Sequence, residues 1–243
     1  MTTMIQLENL VLHFPRQRGV LAGILDLLRG RTRAGKGKFT ALQGMNLEVH
    51  KGEVLGVIGR NGSGKSTMLR VMAGIYRPDE GTVLVRGQTS LLAGVSVGLN
   101  QNLTGRENVH LYGSILGHTK EVMDSMMEDI LSFSEIGEFF EQPLRIYSSG
   151  MKARLGIAIA SAIEPEILLI DEVLGVGDPQ FREKSKKRIL DLVRNTGTVV
   201  LVSHSFSLMT EICDRVVLVH EGKIVTVGRP EEVIKTYYEI TGD

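Results

Sequence analysis

Apolar and polar positions alternate from Met4 to Phe14, the two-residue period of a strand with one buried face. The alternation stops there. Between residues 16 and 38, Val20, Leu21, Ile24, Leu25, Leu27 and Leu28 recur at helical spacing, which predicts a short amphipathic helix and then a Gly-rich loop. Strands are predicted again over Phe39–Val49 and Glu53–Ile58, a helix from about Lys65, and strand with loop over 82–100. Residues 106–142 read as mainly helical, with Met123, Met126, Met127, Ile130 and Leu131 on one side. Helices are expected at Met151–Ala162 and Phe181–Thr196, and buried strands at Ile167–Asp171, Thr198–Ser203 and Arg215–Val219. Runs such as Ile167-Leu168-Leu169-Ile170 and Val199-Val200-Leu201-Val202 do not alternate. Strands apolar on both sides belong in a parallel sheet covered on both faces, and strands alternating with helices give an α/β fold. There is no internal repeat and no low-complexity linker.

Composition narrows the class. The chain has 243 residues, 42% of them apolar and 23% charged, enough for a sizeable buried core. Its longest aliphatic runs fall far short of the roughly 20 residues of a membrane-spanning helix. The start Met1-Thr2-Thr3-Met4-Ile5-Gln6 has neither the basic nor the apolar segment of a secretion signal. A lone cysteine, Cys213, excludes an internal disulfide and suits a reducing compartment. Lys+Arg 28 balances Asp+Glu 28, so whole-chain charge gives no reason to expect a nucleic-acid partner. Charge is uneven locally: residues 16–38 carry seven Lys or Arg against one acid, Asp26.

The sharpest chemistry follows the strand Val54-Leu55-Gly56-Val57-Ile58. There Gly59-Arg60-Asn61-Gly62-Ser63-Gly64-Lys65-Ser66-Thr67 fits G-x-x-x-x-G-K-[ST] between a strand and a helix, the setting of a phosphate-binding loop. Gly59, Gly62 and Gly64 let backbone N–H groups curl around phosphate oxygens, with Asn61 and Ser63 between them. The positive end of the next helix points at the same anion. Lys65 is placed to reach the terminal phosphates, and the Ser66 hydroxyl, followed by Thr67, to ligate Mg²⁺. Asp171 and Glu172 end an apolar core strand, on the ligand side of an open sheet. Asp171 is placed to hold Mg²⁺, and Glu172 to polarise a water attacking the γ-phosphate. The expected ligands are ATP and Mg²⁺.

A further segment, Tyr147-Ser148-Ser149-Gly150-Met151, precedes a helix and lies upstream of the Asp171 strand. It resembles the LSGGQ signature of ABC ATPases, in a Y-S-S-G-M form. His204, after the strand Val199–Val202, matches that family's switch histidine, and Gly175-Val176-Gly177-Asp178 its D-loop. These elements keep the family's order, and the resemblance covers nearly the whole chain. It implies a P-loop NTPase (RecA-like) core with an antiparallel β subdomain and a helical signature subdomain at about 100–160. All of this forms one nucleotide-binding domain over 1–243, with a basic amphipathic insertion at about 16–38.

In this family the signature of one subunit covers the phosphate loop of another. The resemblance therefore implies a homodimer, with Ser149 and Gly150 capping the γ-phosphate across the interface, His204 contacting it, and Phe14 stacking on adenine. With Asn102-Leu103-Thr104-Gly105-Arg106-Glu107-Asn108, the signature resembles the polysaccharide-export branch. Residues 90–100 and Ile136-Gly137-Glu138-Phe139 are most similar to ATPases of wall teichoic acid exporters. O-antigen or capsular polysaccharide export is the alternative. Many O-antigen ATPases add a carbohydrate-binding domain, and an end at Asp243 fits the teichoic acid reading. The resemblance implies an integral membrane permease, in two copies, and a peripheral place on the cytoplasmic side of the membrane. A groove beside residues 95–145 would pass ATP-driven closure to the permease. The family motifs are silent on residues 16–38. Their apolar stripe and basic residues suggest an insertion docking at the membrane face, on the partner or on lipid head groups. The alternative is a surface excursion whose leucines cover the protein's own sheet, with a solvated basic loop.

DNA-repair members of the family separate the two motif halves by long coiled coils; here 84 residues separate Lys65 from Ser149. Ribosome-acting members carry two ATPase domains, and small-molecule exporters lack the Tyr147–Met151 form. One departure stands out. ABC ATPases usually carry a glutamine in the loop joining core to helical subdomain, and none lies near Ala93–Val97, Gln88 being too early and Gln101 too late. That γ-phosphate sensor is unassigned.

Overall fold

A computed structural model describes residues 2–15, 38–93, 99–171 and 178–242. The expected helix and basic loop of 16–38, apart from Lys38 at the start of a strand, the D-loop glycines, Glu172 and most of the stretch expected to hold a glutamine lie outside the described residues. Among the described residues there are nine strands and seven α-helices. In order they are β1 (Thr3–Pro15), β2 (Lys38–His50), β3 (Val54–Ile58), α1 (Lys65–Met72), β4 (Glu80–Val85), β5 (Thr89–Ala93), α2 (Gly105–Ile115), α3 (Lys120–Ser134), α4 (Ser149–Ala162), β6 (Ile167–Asp171), α5 (Pro179–Asn195), β7 (Thr198–Val202), α6 (Phe206–Ile212), β8 (Arg215–His220), β9 (Lys223–Gly228) and α7 (Pro230–Thr241).

Two sheets form. The smaller is antiparallel, in the order β2-β1-β4; the larger runs β5-β6-β7-β3-β8-β9. Within the larger sheet β5, β6, β7, β3 and β8 are parallel, and β9 alone runs antiparallel, against β8. The unbroken apolar runs have the expected cause. Ile167, Leu169, Val200, Val202, Val217 and Val219 face a core shared with α1 and the small sheet. Their neighbours Leu168, Ile170, Val199, Leu201, Val216 and Leu218 face the core made with α2 to α7. Each strand therefore has no solvated face, and burial of both sets of side chains is the main force holding the layers together.

Residues 106–142 do not form one helical run. A turn at Leu116–Thr119, with Gly117 at φ +81°, separates α2 from α3, and a 3-10 turn spans Gly137–Glu141. The methionine stripe of α3 is buried as expected at Met123, Met127 and Ile130. Stretch 82–100 divides between the two sheets, as β4 and β5. Three elements were absent from the pattern reading: β9, α6 and α7. Strand β9 follows β8 through Glu221 and Gly222, both at positive φ, in a two-residue hairpin turn, and four of its six residues are partly buried and the other two exposed. No described helix is long and apolar enough to cross a membrane.

Candidate functional site

The phosphate loop joins the C-terminal end of β3 to α1. Gly59 sits at φ +149°, where an added Cβ would lie 2.1 Å from the Val219 carbonyl oxygen. Gly64, at φ +109°, caps α1 in the left-handed region, with the Ala41 carbonyl 2.9 Å from its would-be Cβ. Side chains are excluded at both positions by conformation and by crowding. The Ser63 carbonyl accepts from the Gly222 amide at 2.9 Å, tying the loop to the β8–β9 turn.

Lys65 is buried, and its Nζ donates to the carbonyl oxygens of Gly59 at 2.7 Å and Arg60 at 3.0 Å. The ammonium is thus folded back over the loop it serves. Ser66 Oγ donates to Asp171 Oδ1 at 2.9 Å, which joins the first turn of α1 to the end of β6. Ser63 Oγ is buried with no partner, an orphaned donor within the loop that a bound anion would satisfy. The loop borders a cleft of about 390 Å³ lined by Phe14, Phe39, Ala41, Asn61, Gly62, Gly64, Lys65, Ser66, Thr67 and Val202.

The donor set suits a triphosphate with Mg²⁺. Mg²⁺ is usually held by one or two protein oxygens together with phosphates and water, and Ser66 and Asp171 supply two neighbouring oxygens. Among the described residues no group of three or more His, Cys, Asp or Glu could hold a metal alone.

Phe14 is partly buried. Its ring meets Tyr76 edge-on at 5.5 Å while it also borders the cleft. His204 is exposed just beyond the C-terminal end of β7. Ser149 and Gly150 are not in the cleft lining. Ser148 caps α4, its Oγ accepting from the Met151 amide at 3.1 Å, which leaves Ser149 exposed in the first turn. An added Cβ at Gly150 would meet only Ser148 Oγ, at 3.8 Å. Nothing within the described chain demands glycine at 150.

The segment Asn102–Asn108 has a structural purpose. Thr104 and Glu107 form a capping box at the start of α2. Asn108 is fully buried; its Nδ2 donates to the carbonyls of Asn100, Leu103 and Thr104, and its Oδ1 accepts from the Asn100 amide at 2.7 Å. Arg106 pairs with Glu141 at 2.7 Å. An added Cβ at Gly105 would lie 2.7 Å from Tyr147 Oη and 2.9 Å from the Phe140 carbonyl. Tyr147 Oη in turn donates to the Phe139 carbonyl at 2.5 Å. The tyrosine of the signature is thus locked beneath the start of α2, and Ser148 and Ser149 follow it directly. Burial pushes the Tyr147 hydroxyl up to about 12, against the opposing pull of the Gly105 amide.

Sequence reasoning missed the ion pairs that tie the signature helix to its neighbours. Arg154, one turn into α4, meets Glu135 at 2.9 Å and also Asp178, the residue that caps α5. Lys184 on α5 reaches the same Glu135. Lys184 first, and Arg154 with it, holds the Glu135 carboxyl below its ordinary range; the Phe181 amide and then Arg154 do so for Asp178. Phe39, Ala41 and Val202 also entered the cleft without a sequence signal, because strand register brings them there.

A family model described as ABC transporter matches residues 42–175. The chain belongs to that family. It is 47% identical over 203 residues to the teichoic acids export ATP-binding protein TagH of Levilactobacillus brevis, covering 84% of this chain and 56% of that one. It is 42% identical over 217 residues to the O-antigen export system ATP-binding protein RfbB of Myxococcus xanthus, covering 89% and 50%. A protein of the latter name from Klebsiella pneumoniae is 39% identical over 241 residues, 98% of both chains. The chain thus spans about half the length of the first two relatives and nearly all of the third. Among solved structures, an ATP-binding subunit of an ABC transporter superposes with a TM-score of 0.74 at 20% identity, over 97% of this chain and 93% of that one. A dimeric ATP-binding cassette in a post-hydrolysis state superposes with a TM-score of 0.71 at 23% identity, over 93% and 99%. These two establish the fold.

Proposed function

We propose that the chain is the ATP-hydrolysing subunit of a system that exports a lipid-linked cell-surface polymer through a separate membrane permease. The observation that carries the ATPase reading is the Ser66–Asp171 hydrogen bond. It sets the two expected metal-binding oxygens side by side at the mouth of a glycine-lined phosphate loop.

On this reading Lys65 and the loop amides bind the β- and γ-phosphates, and Asn61, Ser63 and Thr67 complete the rim. Bound Mg²⁺ would neutralise phosphate charge and orient the terminal phosphoryl group. Ser66 and Asp171 fix where that happens. Glu172, next along the strand end, orients the attacking water and accepts its proton; His204 steadies the γ-phosphate from the end of β7. One chain carries both a loop and a signature, yet Ser149 and Gly150 lie outside its own cleft. Two copies related by a two-fold axis would place each signature on the other's nucleotide, and the open space at Gly150 suits such an approach.

Export is supported by the relatives, which carry both teichoic acid and O-antigen names. We favour wall teichoic acid for the 47% identity of the Levilactobacillus relative and the resemblance of residues 90–100 and 136–139. O-antigen export is the second reading. An end near Asp243 does not separate them, since the Klebsiella relative is matched over 98% of its length. The permease would hold the subunit at the cytoplasmic face of the membrane.

Two measurements test this. Equilibrium binding of ATP at fixed Mg²⁺ should weaken strongly in Lys65→Ala, because a charge-assisted phosphate contact is lost; unchanged affinity refutes the loop's role. Affinity purification from the native membrane should bring a polytopic permease with the chain, and its absence refutes the export role.

A further inference from the structure

The cleft is lined by two groups of residues. The phosphate loop and first turn of α1 supply its polar side chains; Phe14, Phe39 and Ala41, from β1 and β2, supply an apolar wall. We propose that Phe39 is a second nucleobase-stacking residue, so that the base of the bound nucleoside triphosphate lies against an aromatic pair, Phe14 and Phe39. The proposal rests on the reading of the cleft as the ATP site and deepens it.

Three observations converge on Phe39. First, Phe14 and Phe39 are direct partners in the antiparallel register of β1 and β2. Side chains opposite one another leave the sheet on the same face, with Cβ atoms about 4.5–5.5 Å apart. Second, Phe39 is 49% exposed and is the one strongly exposed large apolar side chain, among the described residues, that lines this cleft. An exposed aromatic face inside the cleft, beside the phosphate loop, is a surface on which a planar base can stack. Third, Phe14 already has packing duties: it lies against the buried cluster between the sheets and is braced by Tyr76. Phe39 has the freer ring, beside the loop that would anchor the phosphates.

The sequence makes a clean test available, because the chain has no tryptophan. Phe39→Trp installs a single indole at the proposed stacking position. Its fluorescence should be quenched on titration with Mg²⁺-ATP and unaffected by Mg²⁺-tripolyphosphate, which offers the phosphate loop the same anion without a base. Phe39→Ala should weaken ATP binding about tenfold, toward the lower end of what loss of one base–aromatic stack produces, and leave tripolyphosphate binding unchanged. Equal weakening of both ligands would mean that Phe39 acts by shaping the loop, and unchanged ATP affinity would mean it does not meet the base; either overturns the proposal. Failure of the underlying reading looks different: the parent chain would bind neither ligand, or Lys65→Ala would not weaken tripolyphosphate binding.

Discussion

Tyr147→Phe removes one oxygen atom and tests how the signature is held. The Tyr147 hydroxyl is buried, with the side chain 5% exposed, and donates to the Phe139 carbonyl at 2.5 Å. Its ring stands edge-on to Phe139 at 6.4 Å and would remain in the variant. The loss is therefore the hydrogen bond and not the packing. The Phe139 carbonyl keeps its second bond, accepted from the Gln142 amide at 2.8 Å, so the loss is one net hydrogen bond, about 0.5–1.5 kcal/mol. In a chain of this size each kcal/mol lowers the melting midpoint by about 2–4 °C. A drop of that order should be seen by differential scanning fluorimetry. A second readout identifies the group. Burial raises the Tyr147 pKa to about 12 from 10.0. The hydroxyl is neutral in both folded and unfolded chains below pH 10, so it adds no pH dependence there; stability is lost as pH rises from 10 through 12, where only the folded state resists ionisation. In ultraviolet titration of the five tyrosines, the variant should lack one late-ionising group. An unchanged melting midpoint, or a late phase that persists undiminished, would refute the view that this hydroxyl locks the signature to α2.

Two further outcomes are expected. Glu135 should titrate below its ordinary 4.5 in carboxyl-detected NMR and move up in Lys184→Ala, since Lys184 is its strongest partner. Its contribution to stability is full above pH 4.5 and fades as pH falls through the depressed value, so the parent should lose more on acidification than the variant; equal losses would show that the pair does not act in the folded state. Cys213 is buried and its thiol is pushed up to about 12 by burial, so iodoacetamide at neutral pH should label it slowly in the native chain and rapidly in guanidinium. Equal rates would contradict the burial of Cys213 at the end of α6.

The legible parts of this chain were those in which local sequence and tertiary environment agree. The runs Ile167–Ile170 and Val199–Val202 are apolar at every position because both faces are covered, so their period alone named a doubly covered sheet. The phosphate loop was legible because Gly59 and Gly64 answer backbone demands that other residues meet poorly. The elements missed were hidden for separate reasons. Strand β9 lies at the sheet edge with a half-solvated pattern, and α6 is only seven residues long, too short for a helical period to show. Helix α7 owes its place to side chains far off in sequence: Tyr237 and Tyr238 close on Phe206 at 5.2 and 5.4 Å. In the site, Lys65, Ser66 and Asp171 were readable from motif spacing, whereas Phe39 was not, because its place in the cleft depends on the β1–β2 register. Gly105 and Asn108 could be seen as a motif, but their reasons, a tyrosine hydroxyl overhead and a ring of carbonyls, are tertiary.

On the proposed function, two copies of this chain close around ATP and Glu172 then drives hydrolysis. Light scattering after size-exclusion chromatography tests this directly, on Glu172→Gln with Mg²⁺-ATP in the running buffer, beside a phosphate-release assay on the same sample. The expected outcome is a dimer of the variant that holds two ATP molecules and turns over almost none, while the parent hydrolyses ATP and returns to monomer. A variant that stays monomeric with ATP bound, or that releases phosphate at the parent's rate, would contradict it.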